Sequence, residues 1–372
     1  MGQVHSPVTA VYIKRCGSSW ARAGGAIMQG ARPSCEDAQI MRCDLGPRFS
    51  PPGEAACLFA VFDGHGGSET ADFAASKLAT HIEQAAGTVA AADESRIQSA
   101  FLSLDEELRG AEIAKSSGAT CVAALVVADA TASSFTVKIA NLGDSRALVV
   151  RNGVLVTATN DHKPADPVEE KRIKEAGGFV TAMAGVARVD GTLAVSRAFG
   201  DFEFKDKPHL EAEKQKVTAM CDIYDLRCEK DDVLFLACDG IFDVKSNEDV
   251  IKYLREERIT GPNAKPGSEI DCGDAAARLL HSCLTDGSSD NMTALIIKLC
   301  DGVGVDREEL RPERESQEPN DAHHRERAEE FCRKYAIVGQ PSPLPPREPD
   351  VVPDGTEVPP ARASSPSDNV ES

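Results

Sequence analysis

Apolar and polar positions along residues 27–300 fall into short runs separated by turn residues. Two runs, 57–63 and 233–239, are almost entirely apolar, as expected for strands covered on both faces. Residues 134–141 partly alternate, as in a strand with one solvated face. The strands predicted from this pattern are 57–63, 120–128, 134–141, 145–151, 154–159, 233–239 and 292–299.

Helical periodicity appears between these strands. Ile97, Phe101, Leu104 and Leu108 repeat at the spacing of one helix face. The predicted helices begin near Ser68, before Ile97, at Asp166, at Ser246 and at Asp274.

Short turns such as 141–144 and 151–153 connect several of the strands and indicate antiparallel pairing. The sequence therefore predicts an α+β fold, a four-layer α-β-β-α sandwich in which two antiparallel sheets are flanked by helix pairs.

Composition divides the chain into three parts. Residues 1–22 are expected to be an N-terminal extension, residues 23–300 one globular domain, and residues 301–372 an acidic tail that is largely disordered. The tail holds 11 of the 21 prolines.

Charge and cysteine usage narrow the function classes. A net charge of −19 excludes non-specific nucleic-acid binding, because phosphates would be repelled. The 12 cysteines are scattered and form no C-x-x-C, so we expect reduced thiols in a cytoplasmic protein. We also expect a monomer.

The N-terminal hexapeptide MGQVHS fits the N-myristoylation pattern, with Gly2 as the acceptor. A single acyl chain gives only marginal membrane binding, so the hypothesis is reversible membrane contact. The alternative is a chance match to a short pattern.

Acidic residues fall where the predicted strands end. Asp63 and Asp239 each follow an apolar strand and precede a glycine, Asp290 immediately precedes the last strand, and Asp144 lies in a turn. Crowded carboxylates raise one another's pKa, and hard divalent cations relieve that cost. A glycine after the acid lets backbone approach an ion closely.

The simpler alternative is that each Asp-Gly is only a turn. His65, two residues after Asp63, is likewise either a structural histidine or a group for acid–base work. Spacing alone indicates a divalent-metal hydrolase and no more.

Several motifs in order resemble the type 2C (PPM) metal-dependent protein serine/threonine phosphatases: RPSCED (32–37), DGHGG (63–67), SGAT (117–120), LGDSR (142–146), DHKP (161–164), LAVSRAFGD (193–201), ACDG (237–240) and DNM (290–292). The resemblance implies a β-sandwich with two Mg²⁺ or Mn²⁺ ions at one end. It also implies phosphoprotein substrates and a variable flap around 161–190.

The resemblance also implies roles for single residues. Asp63 would bridge both metals, Asp239 and Asp290 would complete one site, and the Gly64 carbonyl would serve the other. Glu36 and Asp37 would hold waters around the metals, while Asp144 with Asp239 and Asp243 resembles a weaker third-metal site. Arg32 resembles the phosphate-binding arginine and His65 the general acid.

Three other readings stay open at this point. A non-catalytic relative with a binding or regulatory role would usually lack one of the metal carboxylates, and none is missing here. A phosphatase of small metabolites and a scaffold acting through its tail are the other two.

Overall fold

More of the described residues lie in strands than in helices. The computed structural model describes residues 7–46, 54–87, 92–111, 117–129, 134–183 and 185–300. In chain order the strands are β1 (Val8–Gly17), β2 (Ala21–Gly30), β3 (Ala38–Arg42), β4 (Glu54–Phe62), β5 (Gly64–His65), β6 (Gly118–Ala119), β7 (Cys121–Asp129), β8 (Ser134–Leu142), β9 (Arg146–Arg151), β10 (Val154–Ala158), β11 (Val180–Met183), β12 (Val186–Val189), β13 (Phe199–Gly200), β14 (Asp222–Glu229), β15 (Val233–Ala237) and β16 (Met292–Leu299).

Helices connect the strands. They are α1 (Glu69–Ala86), α2 (Glu94–Gly110), α3 (Pro167–Glu175), α4 (Asp239–Phe242), α5 (Asn247–Glu256) and α6 (Cys272–Thr285), with 3₁₀ turns at Phe202–Phe204, Ala212–Lys214 and Gly267–Glu269. No helix in the described ranges has both the length and the apolar character of a membrane span.

Two antiparallel sheets form the centre of the fold. One has the strand order β1-β2-β16-β15-β9-β10 and the other β14-β8-β7-β4-β3. Their facing sides enclose a core of aliphatic side chains, cysteines and phenylalanines such as Phe59 and Phe135. The strands β15 and β16 are buried along their whole length, which explains their continuous apolar sequence.

The outer layers are helical. Helices α1 and α2 pack together, and α1 also contacts β3 and β4 of the five-stranded sheet. On the other side, α6 contacts β2 and β16, and a second core joins α5 and α6 to the six-stranded sheet. The predicted α-β-β-α sandwich is confirmed.

The N-terminal boundary was predicted wrongly. Residues 8–17, assigned to an extension, form β1 and pair with β2 along its length. Residues 1–6, with Gly2, and the tail 301–372 lie outside the described residues. The roles predicted for them stay predictions.

The expectation that every cysteine is a free thiol also fails. Cys16 of β1 and Cys43, which follows β3, form a disulfide that joins the edges of the two sheets. Eight further cysteines in the described ranges are buried, and Cys300 is partly buried. Burial raises the pKa of the Cys57 thiol to about 12, which keeps it protonated.

Helix starts were predicted more closely. Ser246 and Asp249 form a capping box at α5. The last helix starts at Cys272, two residues before Asp274, because the Asp271 side chain accepts from the Asp274 N–H and caps α6. Within 161–190, the structure shows α3 followed by the β11–β12 hairpin.

Candidate active site

The carboxylates predicted from the sequence meet at one rim of the sandwich. Asp239 follows β15 and Asp290 precedes β16. These two strands are antiparallel neighbours, so both residues lie at the same end of the strands of one sheet. Asp63 follows β4 of the other sheet. Strand ends from both sheets therefore bring these acids together.

The proximity of the acids is visible in their electrostatics. Burial raises the pKa of Asp63 well above its ordinary range, and the charges of Asp239, Asp37, Asp144 and Asp290 raise it further. These groups repel one another, so the ionised rim is costly unless cations are present.

Asp239 behaves in the same way. Burial, followed by the charges of Asp144, Asp243 and Asp290, raises the pKa of Asp239 to about 7. A hydrogen bond with Asp63 acts in the opposite direction. Both acids therefore hold a proton more readily than an isolated carboxyl group does.

The donor set fits hard divalent cations, which prefer carboxylate and carbonyl oxygens. Within the described ranges, no three His, Cys, Asp or Glu side chains are grouped so as to hold an ion by themselves. Two acids are instead paired with protein cations, Asp290 with Arg32 and Asp144 with Lys163. Ions at this rim would have to compete with those side chains.

Gly64 has a clear steric reason to be glycine. A Cβ at this position would lie 2.2 Å from the Glu36 carbonyl oxygen. The absence of a side chain thus allows the Asp63–Gly64 backbone to pack directly against the loop that carries Glu36 and Asp37.

Asn291 holds that loop in place. Its Nδ2 donates to the carbonyl oxygens of Gln29 (2.8 Å) and Ser34 (2.9 Å), and its Oδ1 accepts from the Glu36 N–H at 2.9 Å. Because Asn291 adjoins Asp290, one residue fixes the loop relative to a predicted metal ligand.

The two acids of the loop have different surroundings. The Glu36 carboxylate accepts from Ser34 Oγ at 2.9 Å and from the Gly67 N–H at 3.2 Å. Asp37 is buried, and its Oδ2 accepts from Thr293 Oγ1 at 2.6 Å. These hydrogen bonds fix the positions of both carboxylates.

Arg32 reaches the rim from the solvent side. Its guanidinium is largely exposed, and Nη2 donates to Asp290 Oδ2. The exposed edge of this planar group can donate two parallel hydrogen bonds to a phosphate.

His65 is paired with an acid that the sequence did not single out. Its Nε2 lies 2.8 Å from Asp201 Oδ2 and 3.0 Å from Oδ1. Burial lowers the pKa of His65, but Asp201, with smaller contributions from Asp144 and Glu36, raises it above the ordinary value.

The predicted third-metal residues are also close to the rim. Asp144 is buried and accepts from Lys163 Nζ at 2.6 Å. Partial burial raises the pKa of Asp243, and the charges of Asp290 and Asp144 raise it further, although Lys163 opposes the rise. Lys163 lies in the segment that leads into α3 and so connects the flap to the rim.

Three residues important for this geometry were assigned no role from the sequence: Asp201, Asn291 and Lys163. Each lies inside a motif noted above, at the end of LAVSRAFGD, in DNM and in DHKP. Their partners are remote in sequence, so only the fold reveals them.

Comparison with known proteins now decides the family. A family model described as protein phosphatase 2C matches residues 21–292. The chain belongs to this family.

Relatives support the assignment. Human protein phosphatase 1B is 33% identical over 338 residues, which cover 86% of this chain and 65% of that protein. Protein phosphatase 2C homolog 2 of Schizosaccharomyces pombe is 35% identical over 318 residues, covering 82% of this chain and 80% of that one. The chain thus spans slightly less than two thirds of the human relative.

Solved structures agree on the fold. The crystal structure of a phosphatase from Toxoplasma gondii has a TM-score of 0.66 and 28% identity, and the match covers 78% of this chain and 96% of that chain. The family and the fold expected from the resemblance are therefore both confirmed.

Proposed function

We propose that this protein hydrolyses phosphoserine and phosphothreonine in other proteins with the help of divalent cations. The observation that carries the proposal is the crowding of carboxylates at one rim, which raises the pKa of both Asp63 and Asp239. Bound cations would neutralise these acids, remove the repulsion between them and so stabilise the ionised rim.

The metal ligands in this proposal are Asp63, Asp239, Asp290 and the Gly64 carbonyl, with Glu36 and Asp37 holding waters. Two Mg²⁺ or Mn²⁺ ions are proposed, and a third near Asp144 and Asp243. When bound, such ions supply an activated water and neutralise charge on the phosphoryl oxygens.

The chain's own groups complete the reaction. Arg32 is exposed at the rim and orients the phosphate through its fork of N–H donors. His65 protonates the serine or threonine oxygen as it leaves, since an alkoxide is a poor leaving group without a proton.

The first test concerns the metal requirement. EDTA should abolish hydrolysis of a phosphothreonine peptide, and Mn²⁺ or Mg²⁺ should restore it. Asp63→Asn should lower kcat by at least about 100-fold, the upper end of the loss caused by removing an outer-shell metal partner. A variant with half of the wild-type turnover would refute the bridging role.

The second test concerns the proton donor. His65→Ala should slow the phosphothreonine peptide by about 10²–10⁴-fold, the usual contribution of general acid catalysis. The loss on p-nitrophenyl phosphate should be much smaller, because its leaving group needs little protonation. Equal losses on both substrates would remove the acid assignment.

The alternative is a non-catalytic member that binds partners through the same fold. The presence of every predicted metal carboxylate at the rim argues against it. Protein without metal-dependent turnover on any phosphopeptide, but with retained phosphopeptide binding, would favour that alternative.

We also propose a cytoplasmic monomer with reversible membrane contact through an acylated Gly2. The support for acylation is the N-terminal hexapeptide alone. Intact-mass measurement of the protein from native cells tests acylation, and a mass without the acyl increment would contradict it.

A further inference from the structure

A small three-stranded sheet brings His65 and Asp201 together from positions 136 residues apart. Its strand order is β13-β6-β5, with His65 opposite Gly118 and Gly118 opposite Gly200. Asp201 directly follows β13. In the middle strand β6, Gly118 therefore lies between His65 of β5 and the end of β13 that carries Asp201.

Gly118 is required at that crossing. A Cβ there would lie 2.2 Å from Asp201 Oδ2 and 2.4 Å from His65 Nε2. Any larger residue would occupy the space in which the two side chains meet, so the contact depends on this glycine.

The backbone of Asp201 adopts an uncommon conformation. Its φ of 52° and ψ of 41° lie in the left-handed region, which costs a non-glycine residue about 1–2 kcal/mol. The Asp201 N–H donates to the Ser117 carbonyl at 3.1 Å, and the Asp201 carbonyl accepts from the Phe204 N–H at 2.9 Å. The conformation turns a buried carboxylate towards His65.

The buried ion pair between Asp105 and Lys205 holds this turn in place. Asp105 of α2 accepts from the Gly200 N–H at 2.8 Å and from Lys205 Nζ at 2.8 Å, and Lys205 also donates to the Ala198 carbonyl at 2.9 Å. The residues on both sides of Asp201 are therefore fixed to α2.

We propose that Asp201 is a positioning residue for His65: by accepting from Nε2 it fixes the ring so that Nδ1 faces the substrate oxygen. This inference rests on the proposed role of His65 as proton donor. The proton on Nδ1 moves to the serine or threonine oxygen as the P–O bond breaks. The attacking water forms the new P–O bond and keeps one hydrogen as the phosphate hydroxyl, while its other proton passes to solvent, from which the ring regains a proton.

A double-mutant cycle tests the proposal. The variants are Asp201→Ala, His65→Ala and both together, with kcat and KM measured on a phosphothreonine peptide and on p-nitrophenyl phosphate. Asp201→Ala should lower the ratio of peptide kcat to p-nitrophenyl phosphate kcat by about 10- to 100-fold, as for loss of an orienting partner. In the His65→Ala background, the same change should alter kcat by less than about 2-fold.

Asp201→Asn serves as the conservative variant. It keeps the size of the side chain and one oxygen acceptor, so its kcat ratio should lie between those of wild type and Asp201→Ala. It also carries the test if Asp201→Ala does not fold. Urea unfolding and Mn²⁺ titration calorimetry on each variant show whether the fold and metal binding are retained.

The chain offers a matched control. His81 Nε2 lies 2.8 Å from Glu107 Oε2 where α1 meets α2, so it forms the same kind of pair away from the rim. Glu107→Gln should leave the ratio of the two kcat values unchanged.

The outcomes are distinguishable. If Asp201→Ala reduces kcat as much in the His65→Ala background as in wild type, Asp201 does not act through His65 and the inference is overturned. If His65→Ala slows both substrates equally, the proton-donor role fails, while the cycle still reports the coupling between the two residues.

Discussion

Replacing Asp239 by Asn should make the metal-free protein more stable while removing its function. In the folded protein the pKa of Asp239 is raised from 3.8 to about 7, mainly by burial and then by Asp144, Asp243 and Asp290. Each pKa unit corresponds to about 1.36 kcal/mol, so the ionised side chain costs the fold up to about 4 kcal/mol. Because Asp239 shares a hydrogen bond with Asp63, part of this cost is common to both, and we expect a gain of about 1–4 kcal/mol.

The sign of the pH dependence follows from the raised pKa. Between about pH 4 and pH 7 the folded state binds more protons at Asp239 than the unfolded state does, so stability falls as pH rises through this range. The advantage of Asp239→Asn should therefore be largest at pH 8 and should vanish near pH 4. Comparison of variant with wild type at each pH removes the contributions of all other titrating groups.

The assay is urea unfolding in EDTA, followed by the fluorescence of Trp20, the only tryptophan. Asp206→Asn is the control, because Asp206 is exposed and its replacement should change stability by less than about 0.5 kcal/mol. Adding Mn²⁺ at about 100 times its Kd should stabilise wild type by about 2.7 kcal/mol and Asp239→Asn by much less. If Asp239→Asn is no more stable than wild type at pH 8 in EDTA, the electrostatic reasoning is wrong.

Three further predictions concern single positions. Gly240→Ala should lower the free energy of unfolding by about 1–3 kcal/mol, because its Cβ would lie 2.1 Å from the Asn291 carbonyl oxygen; unchanged urea midpoints would show that the backbone there can move. Two arginines lower the pKa of buried Glu169 to about 2, so Glu169→Gln should cost about 3 kcal/mol above pH 5 and progressively less as pH falls towards 2, measured by urea unfolding. Cys16→Ser should reduce stability by about 3–4 kcal/mol under oxidising conditions, because the disulfide with Cys43 closes a loop of 27 residues, and by much less with reductant present.

The predicted strands agree with the observed ones to within three residues at each end, but β2 was not predicted. Gly24 carries no side chain because α6 packs directly on the strand: a Cβ there would lie 2.0 Å from the Gly273 nitrogen. Gly25 faces the opposite side, where a Cβ would lie 2.3 Å from Leu295 Cδ2 of β16. Such a strand has no hydrophobic signature, and the half-buried edge strand β1 has only a weak one.

The meeting of Asp63, Asp239 and Asp290 at one rim could be predicted because each lies beside the end of an apolar strand, a feature that is local in sequence. The Asp201–His65 pair could not, because it depends on the pairing of three two-residue strands around Gly118. Asn291 is similar: its three hydrogen bonds reach residues more than 250 positions away. Acidic residues at strand ends can be recognised in the sequence. Contacts between residues that are far apart in the chain can be recognised only in the folded structure.

Titration calorimetry of Mn²⁺ into the EDTA-stripped, full-length protein tests the central claim most directly. We predict that wild type binds at least two ions and that Asp63→Asn, which removes the proposed bridging carboxylate, loses both. An Asp63→Asn protein that binds Mn²⁺ with wild-type stoichiometry and affinity would contradict the account.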